Sequence, residues 1–391
     1  MVASRVAVLF VALLGCKGGA GRGPSVQSDD LDPAAPSPRG RAAVILMIGD
    51  GMGVAQLAAA GMYAHGEPGT LFLESLPIQG AIETDSVDGV TDSAAAATAM
   101  ACGVRCANYR IGEDYDGDIA INLVEISHVH GWKSGIVTTT AVTHATPAAF
   151  TVHQRSRFDM VDIATEQVTL SRPHVILGGG LAYFLPAGES SARSDDGLID
   201  DLHDGGYQIV YTSEQLAQVG APDRLFGAFA PDHLDFVRER APDTTQPGMV
   251  DMTRTALDVL DRDGASFFLL VEGGRIDHGG HNNSIHDTVF ETLAFDDAVR
   301  TVAQWADGRD YVTIIVNADH ETGGLDILEN RGKGQMPAVS WTGSEHTGAD
   351  VRLFGRGPGL EQLDDRRRRH TWVFAAARAL ITGTPFTAPE P

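Results

Sequence analysis

Six short apolar runs, each followed by glycine or polar residues, indicate the fold class of this chain. Each run is rich in Val, Ile, Leu or Phe. The runs are residues 43–48, 136–140, 175–177, 267–271, 312–316 and 351–354. Short continuous runs of this kind are typical of parallel strands that are covered on both faces. The pattern therefore predicts a buried parallel sheet.

Five helical patterns lie between the predicted strands. They cover residues 54–65, 93–102, 249–262, 285–305 and 371–380. The alternation of strand and helix predicts an α/β fold, a doubly wound and mostly parallel sheet with helices on both faces. Because no internal repeat or break in composition follows residue 41, we expect one domain over 41–391. We expect surface excursions at 179–180 and 217–247.

The N-terminal segment is predicted to be an export signal. An apolar run over 6–14 ends at Leu13-Leu14-Gly15-Cys16, which resembles a bacterial lipobox. This predicts a signal peptide over 1–15, a lipid anchor on Cys16 and a flexible Gly-, Pro- and Ser-rich tether over 16–40. The alternatives are an ordinary signal peptide with a chance Cys, or a start codon assigned too early. We expect an exported, periplasmic or cell-surface lipoprotein that meets the membrane through its lipid only, since no other stretch is long and apolar enough to span it.

Charge and cysteine content narrow the classes of function. The chain carries 29 Lys and Arg against 52 Asp and Glu, a formal net charge of −23, and so acidic a surface repels nucleic acid. Its three cysteines are too few for a zinc site with four thiolates. For Cys102 and Cys106, a disulfide and two buried thiols remain open alternatives. A metal site in this chain therefore has to use His and carboxylate ligands.

Polar side chains cluster where the predicted strands end. Those directly after or close behind a run are Asp50, Glu272, Asp277, His281, Asp319 and His320. In open α/β sheets, ligands bind beyond the carboxyl ends of the strands. One Asp–His pair alone would more simply be a solvated loop, but several such strand ends in one sheet indicate a common site. Carboxylate and imidazole without thiolate suit a catalytic zinc or a mixed zinc and magnesium site.

Ser93 stands at the start of an Ala-rich helical pattern. A helix N-terminus presents free N–H groups and a partial positive charge, which favour an anion. The alternative is plain capping of the helix by Asp92 or Ser93. The small residues that follow favour the anion site, because they allow neighbouring backbone to approach closely.

Taken together, the ordered motifs resemble the alkaline phosphatase family over about residues 41–381. The motifs that carry the resemblance, all in the family's order, are Ile48-Gly49-Asp50-Gly51-Met52-Gly53, Thr91-Asp92-Ser93-Ala94-Ala95, His144-Ala145-Thr146-Pro147-Ala148-Ala149 with His153 and Arg157 after it, Val271 to His281, Ala318-Asp319-His320-Glu321-Thr322, and Glu345-His346-Thr347-Gly348. The resemblance implies a phosphoric monoester hydrolase, EC 3.1.3.1, that acts on small phosphate monoesters with two zinc ions and one magnesium ion per chain.

The resemblance also implies a role for each matching residue. One zinc is held by Asp277, His281 and His346, and a second by Asp50, Asp319 and His320 together with the Ser93 oxygen. The magnesium site uses Asp50, Thr146 and Glu272. Ser93 is the nucleophile that becomes phosphorylated, and Arg157 clamps the phosphate.

Three further residues are expected to support these groups. Asp92 either orients Arg157 or caps the helix, and both roles remain open. His144 and His278 stand where the best-known enterobacterial enzyme has Asp and Lys, while animal-type enzymes have His at both positions. We expect His144 to reach the third metal only through water, and His278 to contact phosphate through water. Other histidines, such as His233, are expected on the surface or in the core.

Three expectations concern features outside the motifs. Only 25 residues separate His320 from His346, which is shorter than in animal enzymes and predicts a minimal crown region. A homodimer is expected by resemblance alone. The arginine run at 366–369 is expected to be a solvated loop or a partner in ion pairs within the acidic chain.

The rival functions are a phosphodiesterase or sulfatase of the same metal-dependent superfamily and, from a different class, a non-catalytic metal- or phosphate-binding lipoprotein. Diesterases of the superfamily usually have Thr as nucleophile and lack the arginine, whereas this chain has Ser93 and Arg157. Sulfatases need a Cys or Ser within a different local motif. A non-catalytic protein is expected to have lost a nucleophile or ligand, and none is missing here.

Overall fold

All six apolar runs become strands of one ten-stranded sheet in the computed structural model, which describes residues 40–220, 222–360 and 367–387. Helices pack on both faces of this sheet. The predicted α/β architecture, doubly wound and mostly parallel, is therefore confirmed. The predicted signal peptide, Cys16 and the tether up to residue 39 lie outside the described residues.

Sixteen strands are present in the described residues. β1 to β8 are Ala43–Gly49, Ile78–Glu83, Asp85–Ser86, Gly89–Val90, Lys133–Ala141, Val175–Gly179, Tyr207–Val210 and Arg224–Ala228. β9 to β16 are Phe267–Gly273, Val312–Asn317, Glu321–Thr322, Leu325–Glu329, Ala338–Trp341, His346–Thr347, Val351–Arg356 and Arg367–Arg369.

Eleven α-helices connect or flank these strands in the described residues. α1 to α6 are Val54–His65, Ser93–Cys102, Leu123–Val129, Ala145–Ala149, Met160–Glu166 and Ile199–Asp204. α7 to α11 are Ser213–Ala217, Met249–Asp261, Arg275–His281, Ile285–Trp305 and Thr371–Thr382. α1, α8 and α10 pack together on one face of the sheet, and α2, α3, α4 and α11 pack on the other.

The direction of β15 differs from the prediction. The strand order is β16-β2-β15-β10-β1-β9-β5-β6-β8-β7, and β15 pairs antiparallel with both β10 and β2. The other strands of this sheet share one direction. The expectation that residues 351–354 form another parallel strand was wrong in this respect, because an apolar run does not specify the direction in which it enters a sheet.

Parts of two stretches predicted as surface excursions belong to the sheet. Residues 217–247 include β8, which pairs parallel with β6 and β7 and buries Leu225 and Phe226 completely. Gly179 ends β6 and is buried, and a Cβ there would lie 2.0 Å from the Asp232 carbonyl oxygen. The sequence around β8 lacks a long apolar run, so only its pairing with β6 and β7 reveals this strand.

The helix α2 lies entirely inside the protein. All ten of its residues are buried, as expected for a helix without a polar face. The Asp92 side chain accepts a hydrogen bond from the Ala95 N–H at its start. Gly103 ends the helix with φ +72°, and its N–H donates to the Ala99 carbonyl.

The two cysteines of the domain are free thiols. Cys102 is the last residue of α2 and Cys106 lies beyond it, so they do not share a helical turn. Burial raises the pKa of the Cys106 thiol to about 12. Of the two alternatives left by the sequence, the structure shows buried thiols.

Two small antiparallel sheets occupy the interval between His320 and β15. β11 pairs with β14, and β12 pairs with β13. The β11–β14 pairing sets Thr322 opposite His346. This compact arrangement agrees with the predicted minimal crown region.

The arginine run forms ion pairs. Arg367 in β16 contacts Glu83 at 3.1 Å and Asp350 at 2.7 Å. Arg366 lies outside the described residues. The expectation of ion pairs within the acidic chain is confirmed for Arg367.

Within the described ranges, none of the helices combines the length and the apolar character that crossing a bilayer requires.

Candidate active site

The central strands bring three acidic residues to one edge of the sheet. β1 lies between β9 and β10, with Ile48 opposite both Glu272 and Asn317. Because the three strands are parallel and in register, Asp50, Glu272 and Asp319 come together where these strands end. All three side chains are completely buried. Burial of this kind is rare for carboxylates without a charged or metal partner.

Gly51 makes the turn after β1 possible. Its φ is +71°, and a Cβ there would lie 2.7 Å from the Asp277 Cα. Its N–H donates to Asp319 Oδ1 at 3.0 Å. A glycine at this position therefore allows α9 and the end of β10 to approach the end of β1.

Asp277, His281 and His346 form the first group that could hold a metal ion. Asp277 and His281 lie one turn apart on α9, with Asp277 Oδ2 at 3.2 Å from His281 Nε2. His346 Nε2 lies 3.5 Å from Asp277 Oδ1 and 3.1 Å from His281 Nε2. The three predicted ligands thus meet at one point.

Asp50, Asp319 and His320 form the second group. His320 Nε2 lies 3.1 Å from Asp319 Oδ2 and 3.6 Å from Asp50 Oδ1. Ser93 Oγ is 3.2 Å from the same His320 nitrogen. The structure therefore places the predicted nucleophile beside the predicted second zinc ligands.

Asp50 and Glu272 also belong to a third group, in which the third member is His144. Thr146, predicted as the ligand at this site, is fully buried on α4, and its hydroxyl has no hydrogen-bond partner among the described residues. Thr138 donates a short hydrogen bond to Glu272 Oε2. His144 thus lies closer to this group than the sequence indicated.

The three predicted histidine ligands all present Nε2 to their groups, since Nδ1 is engaged elsewhere. His281 Nδ1 contacts the Ser344 carbonyl at 2.5 Å, and His346 Nδ1 contacts the Thr91 carbonyl at 3.0 Å. His320 Nδ1 lies 3.2 Å from Thr322 Oγ1. A carbonyl partner places the proton on Nδ1 and leaves Nε2 free to bind a metal.

The electrostatics of the site favour bound cations. Burial, followed by the charge of Asp319, raises the pKa of Asp50 well above its usual value. Burial likewise raises the pKa of Asp319 to about 6 and that of Glu272 to about 7. Both carboxylate oxygens of Asp50 lack a hydrogen-bond partner among the described residues. Such orphaned buried oxygens fit cation ligands.

Asp277 differs from the other buried carboxylates. Burial acts to raise its pKa, but hydrogen bonds to His281 and His346 hold the pKa well below its usual value. The Asp277 hydrogen bond also raises the pKa of the His281 ring to about 9. Hydrogen bonding to the two imidazole rings therefore favours the ionised form of the Asp277 carboxylate, which suits a cation ligand.

The two proposed roles of Asp92 are both present in the structure. Its Oδ1 accepts a hydrogen bond from the Ala95 N–H, which caps α2, and another from the Tyr109 N–H. Its Oδ2 accepts from Arg157 Nη1 at 3.0 Å. Arg157 Nη2 lies 2.9 Å from His144 Nε2. The guanidinium is thus held between Asp92 and His144 beside the buried start of α2.

Several functional contacts were missed from the sequence. Thr322 Oγ1 donates a hydrogen bond to Asp277 Oδ1 at 2.5 Å, although the motif that contains Thr322 predicts no role for it. Glu321 accepts hydrogen bonds from Gln56 and Thr347 and so fixes β11. His233, expected on the surface or in the core, has its ring centroid 4.6 Å from that of His278. No sequence spacing predicts these contacts, because the partners are distant in the chain.

Comparison with known proteins agrees with this geometry. A family model for alkaline phosphatase matches residues 41–338. Alkaline phosphatase 3 of Bacillus subtilis is 34% identical in an alignment 296 residues long, which covers 73% of this chain but only 62% of that protein. Streptomycin-6-phosphate phosphatase of Streptomyces griseus is 32% identical over 386 residues, covering 82% of this chain and 86% of the relative.

Solved structures show the same architecture. The alkaline phosphatase of the Antarctic bacterium TAB5 has a TM-score of 0.78 and 28% identity, covering 89% of this chain and 99% of that one. The Thermus thermophilus alkaline phosphatase has a TM-score of 0.79 at 24% identity, with 91% and 94% of the two chains covered, and shows the same fold. By sequence, fold and the family model over most of its length, this chain belongs to the alkaline phosphatase family.

Proposed function

We propose that this protein is an alkaline phosphatase that hydrolyses small phosphate monoesters through a covalent phosphoserine on Ser93. The observation that supports this most directly is the position of Ser93. Its Oγ lies at the buried start of α2 and 3.2 Å from His320 Nε2, within the second of the groups that could hold a metal. The Streptomyces relative is named for the phosphate monoester streptomycin 6-phosphate, which is consistent with this substrate class.

The donor sets fit two zinc ions and one magnesium ion. Asp277, His281 and His346 would hold one zinc, which favours a mixture of imidazole and carboxylate. Asp50, Asp319 and His320, with the Ser93 oxygen, would hold the other. When bound, zinc acts as a Lewis acid that lowers the pKa of a coordinated hydroxyl and neutralises charge on the phosphoryl oxygens.

The oxygen-rich third group fits magnesium. Asp50, Thr146 and Glu272 would supply its protein ligands, and Mg²⁺ usually keeps several waters as well. The orphaned Thr146 hydroxyl and Glu272 Oε1 support this assignment. A variant of the TAB5 enzyme carries magnesium in a site called M3.

The proposed reaction has two halves, and Ser93 takes part in both. Ser93 Oγ gives up its proton and attacks phosphorus, the ester P–O bond breaks, and the departing oxygen takes a proton to leave as the alcohol. Water then attacks the phosphoserine, the Oγ–P bond breaks, and Ser93 recovers a proton as inorganic phosphate leaves. Splitting the displacement in this way is the usual advantage of a covalent nucleophile.

Arg157 is proposed to clamp the phosphoryl group. Its side chain is 13% exposed. Nη1 donates one hydrogen bond to Asp92, and Nη2 donates one to His144. A guanidinium carries five N–H donors, so three remain, and the two on the terminal nitrogens can bind two phosphoryl oxygens. The combination of Ser93 with this clamp supports a monoesterase rather than a diesterase or sulfatase.

The test of the proposed function is hydrolysis of p-nitrophenyl phosphate by the zinc- and magnesium-loaded protein. We expect Ser93→Ala to lower kcat/KM by about 1,000-fold or more, because the nucleophile is lost. Mass spectrometry of the quenched wild-type reaction should find a phosphoryl group on the peptide that contains Ser93. The exposed Ser75→Ala variant is the matched control. Full activity in Ser93→Ala would refute the mechanism, and faster cleavage of bis(p-nitrophenyl) phosphate would favour the diesterase.

We also propose that the protein is exported, anchored by lipid on Cys16, and dimeric. The motif Leu13-Leu14-Gly15-Cys16 supports the anchor, and the family resemblance supports the homodimer. Loss of metabolic lipid labelling in Cys16→Ser would support the anchor, and unchanged labelling would contradict it. Light scattering that gives only the mass of one chain would contradict the dimer.

A further inference from the structure

Two aromatic rings lie exposed beside the proposed phosphate clamp. Tyr109 is 54% exposed and Phe158 is 68% exposed. Their ring centroids are 5.8 Å apart at an interplanar angle of 34°, within the range at which aromatic rings contact each other. Phe158 directly follows Arg157 in the chain. The two rings, called here the aromatic pair, have no role in the proposed function.

Backbone hydrogen bonds fix the aromatic pair to the clamp. The Tyr109 N–H donates to Asp92 Oδ1 at 3.1 Å, and the Arg157 N–H donates to the Tyr109 carbonyl at 2.8 Å. Ile111 and Gln154 exchange two backbone hydrogen bonds of 2.9 Å, which join the same two segments of the chain. The aromatic pair is therefore attached to the residues that hold the guanidinium in place.

Tyr109 has a backbone conformation that few side chains adopt. Its φ is +71°, and only two other non-glycine residues in the described ranges have a positive φ. A bulky residue in this region is strained, whereas glycine would adopt it freely. Backbone strain of this kind is concentrated at functional sites. Because a half-exposed ring adds little to the core, the strain indicates a function for the Tyr109 ring.

The chemistry of the proposed reaction determines the direction in which the alcohol leaves. The attacking and leaving oxygens lie in line on opposite sides of phosphorus. Ser93 attacks from the start of α2, where it is only 1% exposed, so the alcohol departs toward solvent. The aromatic pair is exposed and attached to the clamp, and it therefore borders the path of the alcohol.

We propose that the aromatic pair is a stacking surface for the alcohol part of the substrate, which makes the enzyme selective for phosphate monoesters whose alcohol carries a planar aromatic ring. A flat ring gains contact area on an exposed aromatic face, and the contact tolerates many ring types. Nucleosides and aryl-substituted alcohols both offer such a ring. The inference rests on the proposed function, since it assumes that phosphate binds at Arg157.

The first test compares AMP with ribose 5-phosphate, because both release a primary alcohol and differ in the base. The metal-loaded wild type should have a kcat/KM about tenfold higher for AMP. Tyr109→Leu and Phe158→Leu keep apolar bulk but remove a flat ring, and each should lower this ratio about fivefold. Tyr109→Phe keeps the ring and the ratio. Tyr211→Leu, which changes an exposed tyrosine after β7, is the matched control.

The second test compares 2-phenylethyl phosphate with propyl phosphate in the same variants. Both compounds release a primary alkyl alcohol, and only the first carries a ring. A ratio that falls in the Leu variants for AMP alone assigns the surface to nucleosides, and one that falls here alone assigns it to aryl-substituted alcohols. Either result supports stacking. Ratios that stay unchanged in both tests overturn the proposal, even if the activity of the variants falls equally on both members of a pair.

The outcomes separate this inference from the proposed function. If the wild type hydrolyses monoesters with no preference for either aromatic compound, only the role of the aromatic pair is refuted. If Tyr109→Leu and Phe158→Leu lower the mass found by light scattering but change neither ratio, the rings form a contact between two copies of the chain and the proposal fails. If the wild type hydrolyses none of the four monoesters, both proposals fail.

Discussion

At the scale of single residues, Thr322 connects the two groups proposed to hold zinc. Its Oγ1 donates to Asp277 Oδ1 and lies 3.2 Å from His320 Nδ1. Because the hydroxyl gives its single proton to Asp277, it is an acceptor for the Nδ1–H of His320. One side chain thus orients a carboxylate in the first group and fixes the tautomer of a histidine in the second.

Replacement of Thr322 by Val should therefore weaken both zinc sites. We expect zinc affinity to fall by about 10- to 100-fold, the usual cost of losing a partner that orients a metal ligand. Competition with a chelating dye would measure it. Thr322→Ser should restore most of the affinity, and Thr301→Val on the outer side of α10 should have no effect. Unchanged affinity in Thr322→Val would show that the contact does not orient the ligands.

The two roles of Asp92 can be separated by a substitution that keeps only one of them. Asn caps helices as well as Asp does, so Asp92→Asn should leave the free energy of unfolding within about 0.5 kcal/mol of wild type. The loss of the carboxylate leaves Arg157 without its charged partner, and phosphate affinity should fall several-fold. Asp92→Ala should in addition lower the free energy of unfolding by about 1 kcal/mol. Equal stability of the Ala and Asn variants in urea would contradict the capping role.

At the scale of elements, α2 matters because it places Ser93 and is buried along its whole length. Gly103 ends it with φ +72°, and a Cβ there would lie 2.3 Å from a Phe374 ring carbon of α11. Gly131 has nearly the same φ, +70°, but no atom within 4 Å of its added Cβ. Comparing an Ala substitution at Gly103 with one at Gly131 therefore separates the cost of backbone strain from the cost of a steric clash.

Gly103→Ala should lower the free energy of unfolding by about 2–4 kcal/mol, since backbone strain adds to overpacking. Gly131→Ala should lower it by only about 1–2 kcal/mol, the cost of the left-handed conformation alone. Urea unfolding of the metal-loaded proteins measures both values. Equal losses in the two variants would mean that α11 moves away from α2 without cost.

At the scale of the whole molecule, the net charge of −23 at first argues against an anionic substrate. The site makes an acidic chain compatible with an anionic substrate, because four of its carboxylates lie in groups that could hold cations. These carboxylates are Asp50, Glu272, Asp277 and Asp319. Arg157 and the start of α2 add positive potential at the same place. The local field at the site can therefore oppose the field of the surface.

The metal-free protein should lose stability as the pH rises above about 7. Hydrogen bonding to Asp277 raises the pKa of His281 from 6.5 to about 9, so the folded state retains a proton that the unfolded chain releases at lower pH. This stabilisation is complete below pH 6.5 and disappears as the pH rises through about 9. Urea midpoints after chelation should fall across this interval.

Zinc should remove this pH dependence. A metal-bound His281 ring is unprotonated at Nε2 in the folded state, so the proton that stabilises the metal-free fold is absent. The zinc-saturated protein should show a much smaller decline in urea midpoint over the same interval. A flat profile in the metal-free protein would contradict the assignment of the proton to the Asp277–His281 pair.

The amino-acid sequence was sufficient to predict the central strands, their alternation with helices and the residues at the strand ends. Buried parallel strands have a continuous apolar pattern that ends at polar residues. Asp50, Glu272 and Asp319 were predictable for this reason. The ordered motifs determined the family, and with it the expected roles of Ser93 and Arg157.

Contacts between segments that are distant in the chain could not be predicted and are visible only in the folded protein. The start of β15 lies at the same edge as the ends of its neighbours because β15 is antiparallel, and this brings His346 to Asp277. The positions of Thr322 and His233 depend in the same way on pairing and packing. Apolar patterns encode which residues are buried, but the direction of a strand and the partner of a side chain arise when the whole sheet assembles.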